Sequence, residues 1–196
     1  MPKKVDHESR RRLIADALMR VAAEQGLEAV SLRHVAAAAG VSAGMVQHYF
    51  RTKDEMMAFA LSVVKDRSQA RVEAAVAGLG PDPAPRALVR ALIAALLPLD
   101  DASREDGRVA LAFLAYTAVR PAASASLRED TAQLVAFIAG LLPVTPAEPA
   151  AAALLALMEG LGVYLLGGQY SPAQALAALD AHVDLVFAAP ETRRRP

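Results

Sequence analysis

Glycine and proline cut this chain into apolar runs of helical length, and little inside those runs favours a strand. Leu13, Ile14, Ala17, Leu18, Val21 and Ala22 recur at the three- and four-residue spacing of one helix face. Gly26 follows where a left-handed cap residue ends a helix. Ser31 and Ser42 stand as N-caps of two short runs, reaching about Ala38 and about Phe50, with Gly40 between them. A long run extends from Asp54 to about Ala77 and stops at GLGPDPAP, Gly78 to Pro85, which no helix interior contains. Further helices are expected over 86–97, 104–119, 122–142, 149–166 and 172–188, the last opened by Ser171 and Pro172 as a cap and first-turn pair. The 45 alanines and 26 leucines point the same way, because both are strong helix formers. The expected fold class is all-α.

Composition then excludes several classes. A hydrophobic share of 55 % offers enough apolar surface to offset chain entropy, so the chain is not disordered. The absence of cysteine rules out disulfides, cysteine-ligated metals and a thiol nucleophile, and the four histidines are too scattered for a metal centre. No HExxH, GxSxG, P-loop or GxGxxG pattern occurs; the glycines of Gly160 to Gly168 are wrongly spaced and lack a preceding strand. Asp100, Asp101, Glu105 and Asp106 read as a solvated turn in a proline-bounded loop. Asp16 and Arg20 interrupt any apolar run after the charged opening. The longest uncharged stretch, Gly160 to Leu179, is broken by Gly167, Gly168, Gln169, Ser171 and Pro172, short of the ~20 apolar residues of a membrane span. The expectation is a cytoplasmic chain that is not an enzyme and has no membrane span, metal or cofactor.

Charge is zero overall but unevenly spread. Residues 1–53 hold nine basic and five acidic side chains, a net +4, whereas 54–190 are net −6. A basic end suits a polyanion, although chance clustering explains such a balance about as well. Within that end, Ser31 to Lys53 (SLRHVAAAAGVSAGMVQHYFRTK) has the size of a helix-turn-helix. Val35, Val41 and Val46 are apolar where the two helices touch, Ala36 is small at their crossing, and Gly40 stands where the turn needs positive φ. Ala43, Gly44, Met45, Gln47 and His48 are left facing outwards on the second helix, which in such a unit enters the major groove.

From about Leu13 to Met57 the chain resembles the DNA-binding domain of the TetR family of transcriptional regulators. Gly26, Ser31, Val35-Ala36, Ala39-Gly40-Val41-Ser42, Gly44, Tyr49-Phe50 and Lys53 carry the likeness. The C-terminal stretch MEGLGVYLLGGQYSPAQALAALDAHVDLVF is similar to the BetI-type subgroup. The resemblance implies a homodimeric, cytoplasmic repressor that binds a pseudo-palindromic double-stranded operator and answers to a small-molecule effector. It places candidate DNA contacts at Ser31, Arg33, Ser42, Ala43, Gly44, Met45, Gln47, His48, Tyr49 and Lys53. Lys53 matches the family's phosphate-binding lysine, and Tyr49 the residue that reaches a phosphate ahead of the phenylalanine. Gln47 replaces the tyrosine of many relatives; its amide is suited to a bidentate contact with adenine. Ser31 and Ser42 either cap their helices alone or also present helix amides to phosphate.

The expected domains are 1–53 for DNA, 54–190 for effector and dimer contacts, and a basic tail at 191–196, where Arg193 to Arg195 stand. In relatives the last two long helices form an intersubunit four-helix bundle. Here Leu154, Leu157, Leu161 and Leu165, with Leu176, Leu179, Val183 and Val186, run at the right spacing, facing either a partner or the subunit's own core. Phe59, Phe113, Tyr116, Phe137, Met158 and Tyr164 are candidates for an adaptable apolar cavity, with Glu159 a polar partner for a cationic or hydroxylated ligand. The competing class is a helical small-molecule carrier or enzyme that retains an N-terminal helix-turn-helix.

Overall fold

The computed structural model describes residues 2–26, 29–118 and 125–188. Among these, the helices run in the order α1 (Pro2–Gln25), α2 (Leu32–Ala39), α3 (Ala43–Tyr49), α4 (Lys53–Ala77), α5 (Pro85–Leu96), α6 (Asp101–Ala118), α7 (Ala125–Ala139), α8 (Ala147–Leu166) and α9 (Pro172–Ala188), with no strand among the described residues. The expected basic tail at 191–196 lies outside the described residues.

Helix ends follow local chemistry. The Ser31 hydroxyl accepts from the His34 amide at 3.2 Å, and Ser42 accepts from the Met45 amide at 3.1 Å. Gly40 closes α2 in the left-handed conformation at φ 67°, while the Val41 amide returns to the Ala36 carbonyl at 3.0 Å. Thr52 opens α4 by accepting from the Glu55 amide at 3.0 Å. At α9, Ser171 and Gln174 cap each other, the Ser171 amide donating to the Gln174 side chain at 2.9 Å.

Two boundaries differ from expectation. α1 starts eleven residues before its apolar stripe, where periodicity is silent; there a Glu8–Arg12 pair at 3.0 Å spans one turn. The acidic segment at 100–106 is no solvated turn. Asp100 and Ser103 cap each other reciprocally, and this starts α6 at Asp101. The Ser103 amide is the main reason the Asp100 carboxyl sits below the ordinary aspartate value. Asp106 lies a turn inside α6, with 3 % of its surface exposed.

The chain divides into two compact units, one of residues 1–67 and 104–120, the other of 68–103 and 121–196. The division falls inside α4, after residue 67, whereas the expectation drew its line at 53/54, where α4 begins. The first unit buries Ile14, Leu18 and Val21 of α1 with Val35, Val46, Phe50, Met56, Val64 and Val109. The second centres on Val89, Ile93, Ile138, Leu154, Leu161, Leu165, Leu179 and Val183. In it, Arg86 pairs with Asp184 and Arg90 with Asp180, joining α5 to α9. α8 is long and apolar enough to cross a membrane by length and composition, with a mean hydropathy of 1.7, although no such helix was expected. Its Ala151, Leu154, Leu155, Leu161 and Leu165 are instead buried in the second unit's core.

Candidate nucleic-acid interface

α3 is held by two side chains. Val46 and Phe50 are fully buried, and their burial turns the opposite side of the helix to solvent. On that side lie Ala43, Gly44, Met45, Gln47 and His48, all exposed as the spacing predicts. Tyr49 is half-buried, with its ring 5.2 Å from His48 and 4.7 Å from His7 of α1. Arg33 is exposed on α2, and Lys53 is the first residue of α4. Ser31 and Ser42 both cap, so their hydroxyls already accept one backbone amide each.

The contacts that hold the helices around α3 join residues distant in sequence, where no motif marks them. The Arg11 guanidinium lies 4.9 Å from the Phe50 ring centroid and 4.4 Å from that of Phe59, with Glu55 at 3.9 Å. Arg20 donates to the Ala38 carbonyl at 3.0 Å, tying α1 to the last turn of α2, where carbonyls carry the negative end of the helix dipole. Tyr116 of α6 donates to Asp54 in the first turn of α4.

The seven residues read as cavity candidates separate. Phe59, Phe113 and Tyr116 belong to the first unit; Phe137, Met158, Glu159 and Tyr164 belong to the second. Phe59 is half-buried in the first unit and packs on Phe50, with ring centroids 5.5 Å apart. Phe137 is 54 % exposed, and Tyr164 packs edge-on against Tyr170 at 5.0 Å. Glu159 reaches solvent, yet loss of hydration raises its carboxyl above the ordinary value. Within the first unit, a cleft of about 480 Å³ opens between α1, α4 and α6, lined by Asp16, Arg20, Glu24, Arg67, Glu105 and Arg108 among others. It is strongly charged, and none of the seven lines it.

The dimer candidates divide between fully and partly buried positions. Leu154, Leu161, Leu165, Leu179 and Val183 are buried in their own subunit's core, Leu157 and Val186 are partly buried against it, and Leu176 is half-buried. The helical period that selected them marks the strongest apolar stripe, and the core takes that stripe first. The outward sides carry Ala152, Ala156, Gly160 and Val163 on α8, and Ala177, Ala181 and Leu185 on α9.

Residues 14–58 match the family model of bacterial regulatory proteins of the tetR family, and residues 85–188 match that of the BetI-type transcriptional repressor C-terminal domain. The chain belongs to the TetR family. Among TetR-family relatives, the regulator BetI of Burkholderia thailandensis is 33 % identical over 197 residues, covering 96 % of this chain and 98 % of its own. The regulator PksA of Bacillus subtilis is 38 % identical over 117 residues, which span 59 % of this chain and 55 % of that protein. A transcriptional regulator from Rhodococcus sp. Rha1 superposes with a TM-score of 0.82 at 36 % identity, covering 91 % of this chain and 96 % of its own. As a TetR-family member, the chain is a DNA-binding transcriptional regulator of helix-turn-helix type and not an enzyme.

Proposed function

We propose that this regulator is a cytoplasmic repressor that binds a pseudo-palindromic operator as a homodimer and lets go when a small, mostly apolar molecule binds. The observation that carries the reading is α3 itself. Val46 and Phe50 anchor it, and a row of small and polar side chains is left free to approach base edges. In this reading Gln47 and Met45 meet bases, while Arg33, Tyr49, His48 and Lys53 meet phosphates. Ser42 starts α3 with its hydroxyl on the Met45 amide, and its small neighbours Ala43 and Gly44 let the backbone come close to the duplex.

A second copy is the proposed occupant of the outward faces of α8 and α9. Ala152, Ala156 and Gly160 recur every four residues, which lets two helices approach closely, and Leu185 at 70 % exposure is the largest apolar residue there. Two copies place two recognition helices about 34–36 Å apart in successive major grooves, doubling a readout that one short helix cannot make specific. The effector is proposed to bind in the second unit, to which Phe137, Met158, Glu159 and Tyr164 belong. Release requires the effector to prefer a different spacing of the recognition helices. A coupling of about 1–3 kcal/mol lowers operator affinity roughly 5- to 150-fold.

Selection of bound duplexes from a random pool tests the reading directly. A two-fold symmetric site with steep salt dependence is expected, together with a compound that both raises the melting temperature and releases that site. A protein that enriches no sequence is not an operator-binding repressor.

A further inference from the structure

We propose that His7 extends the DNA interface onto α1, stacking on Tyr49 to fix its ring and donating a ring N–H to the sugar–phosphate backbone beside the groove entered by α3. The inference rests on the operator reading above and adds an element outside the helix-turn-helix, since His7 lies seven residues before the tetR-family match begins.

The register of α1 puts His7 where it is. His7, Arg11, Ile14 and Leu18 follow one another at four- and three-residue steps, the spacing of one helix face. Leu18 and Ile14 are buried, and Arg11 spreads over the rings of Phe50 and Phe59. One turn further out, His7 therefore comes to rest over the end of α3, with its ring 4.7 Å from that of Tyr49 and inclined by 59°. Tyr49 in turn meets His48 edge-on at 5.2 Å. Three rings, each with a polar atom, run in one row from α1 onto the exposed side of the recognition helix. His7 itself is exposed.

Phosphate is the occupant this row fits. A histidine ring carries an N–H in either tautomer, and a tyrosine hydroxyl donates as well. Roughly half to two-thirds of protein–DNA hydrogen bonds go to phosphate and sugar, and such contacts orient the protein without reading sequence. Charge agrees, because residues 2–12 hold Lys3, Lys4, Arg10, Arg11 and Arg12 against Asp6 and Glu8.

The test uses the full-length protein and an operator enriched from a random pool, with binding followed by fluorescence anisotropy over a salt series. His7→Ala is expected to weaken binding about two- to tenfold, with unchanged base preference and melting temperature. His7→Phe keeps the stack but not the N–H, and is expected to recover only part of the loss. Combined with Tyr49→Phe, His7→Ala is expected to cost less than the sum of the two single losses. Equal affinity of His7→Ala and the parent overturns the inference, as does a loss that only follows a fall in melting temperature. Full recovery by His7→Phe overturns the phosphate contact. A parent protein that enriches no operator refutes the operator reading itself, so the two failures are distinguishable.

Discussion

The Arg67 guanidinium donates at 3.1 Å to the carboxylate of Asp106, a side chain almost closed to water. Its other terminal nitrogen donates to Asp16 at 2.9 Å, so one side chain of α4 holds both α6 and α1. Burial pulls the Arg67 pKa down, but the two acids outweigh it and the value ends above normal. Arg67→Met leaves Asp106 without this cation and is expected to destabilise the protein by about 1–3 kcal/mol in a denaturant titration. That is below the ~3–5 kcal/mol of a fully buried pair, because the Arg67 side chain is half in water. Asp106→Asn keeps an acceptor and is expected to lose less.

Acid is expected to weaken the second unit. The hydrogen bond from Arg90 holds the Asp180 carboxyl below the ordinary aspartate value. A carboxyl whose folded pKa is depressed stabilises above its unfolded pKa and loses that contribution as pH falls through the folded one. From about pH 5 downward, the parent protein is therefore expected to lose stability faster than Asp180→Asn, which has no such group to titrate. Parallel curves in paired denaturant titrations contradict this.

Gln47 and Lys53 are expected to fail differently. Lys53→Ala loses affinity for all duplexes and flattens the salt slope by about one unit. Gln47→Ala relaxes preference at one position in each half-site, costing roughly 1–3 kcal/mol there. Binding curves on single-base operator variants separate the two. A uniform loss in both removes the base-reading role from Gln47.

On α9, two leucines six residues apart are expected to give opposite results. Leu185→Glu places a charge on the outward face and yields a folded monomer by sedimentation. Leu179→Glu places it in a fully buried position and unfolds the second unit, seen as loss of helical circular dichroism. A dimeric Leu185→Glu protein rules that face out as the contact.

Local chemistry was readable wherever a single residue decides the outcome. Gly40 and the Ser31 and Ser42 caps stand as spacing implied, and so does the outward set on α3, because burying Val46 and Phe50 leaves a seven-residue helix one orientation. What stayed hidden depends on partners distant in sequence. The Leu154, Leu161 and Leu165 stripe looks the same whether it meets its own core or a second subunit, and tertiary packing assigned it inwards. Arg67 and Asp106 are 39 residues apart, and no periodicity announces a pair at that separation. Arg11 hid for another reason: a guanidinium spread over two aromatic rings reads in sequence as one more solvated charge.

α4 and α6 each belong partly to both compact units, and this has a consequence for how the protein can be taken apart. The unit that holds the helix-turn-helix is not a contiguous segment, since it needs Val109 and Phe113 from a helix that arrives fifty residues later. A fragment ending after α3 is therefore an incomplete half of a core and not a portable DNA-reading module. A chimera that exchanges only residues 1–53 with a relative inherits mismatched surfaces at Met56, Val64, Val109 and Phe113. Recombination at that seam tends to be lost, and new operator preferences are left to arise by substitutions on the solvent side of α3, whose exposed side chains can change without repacking the core.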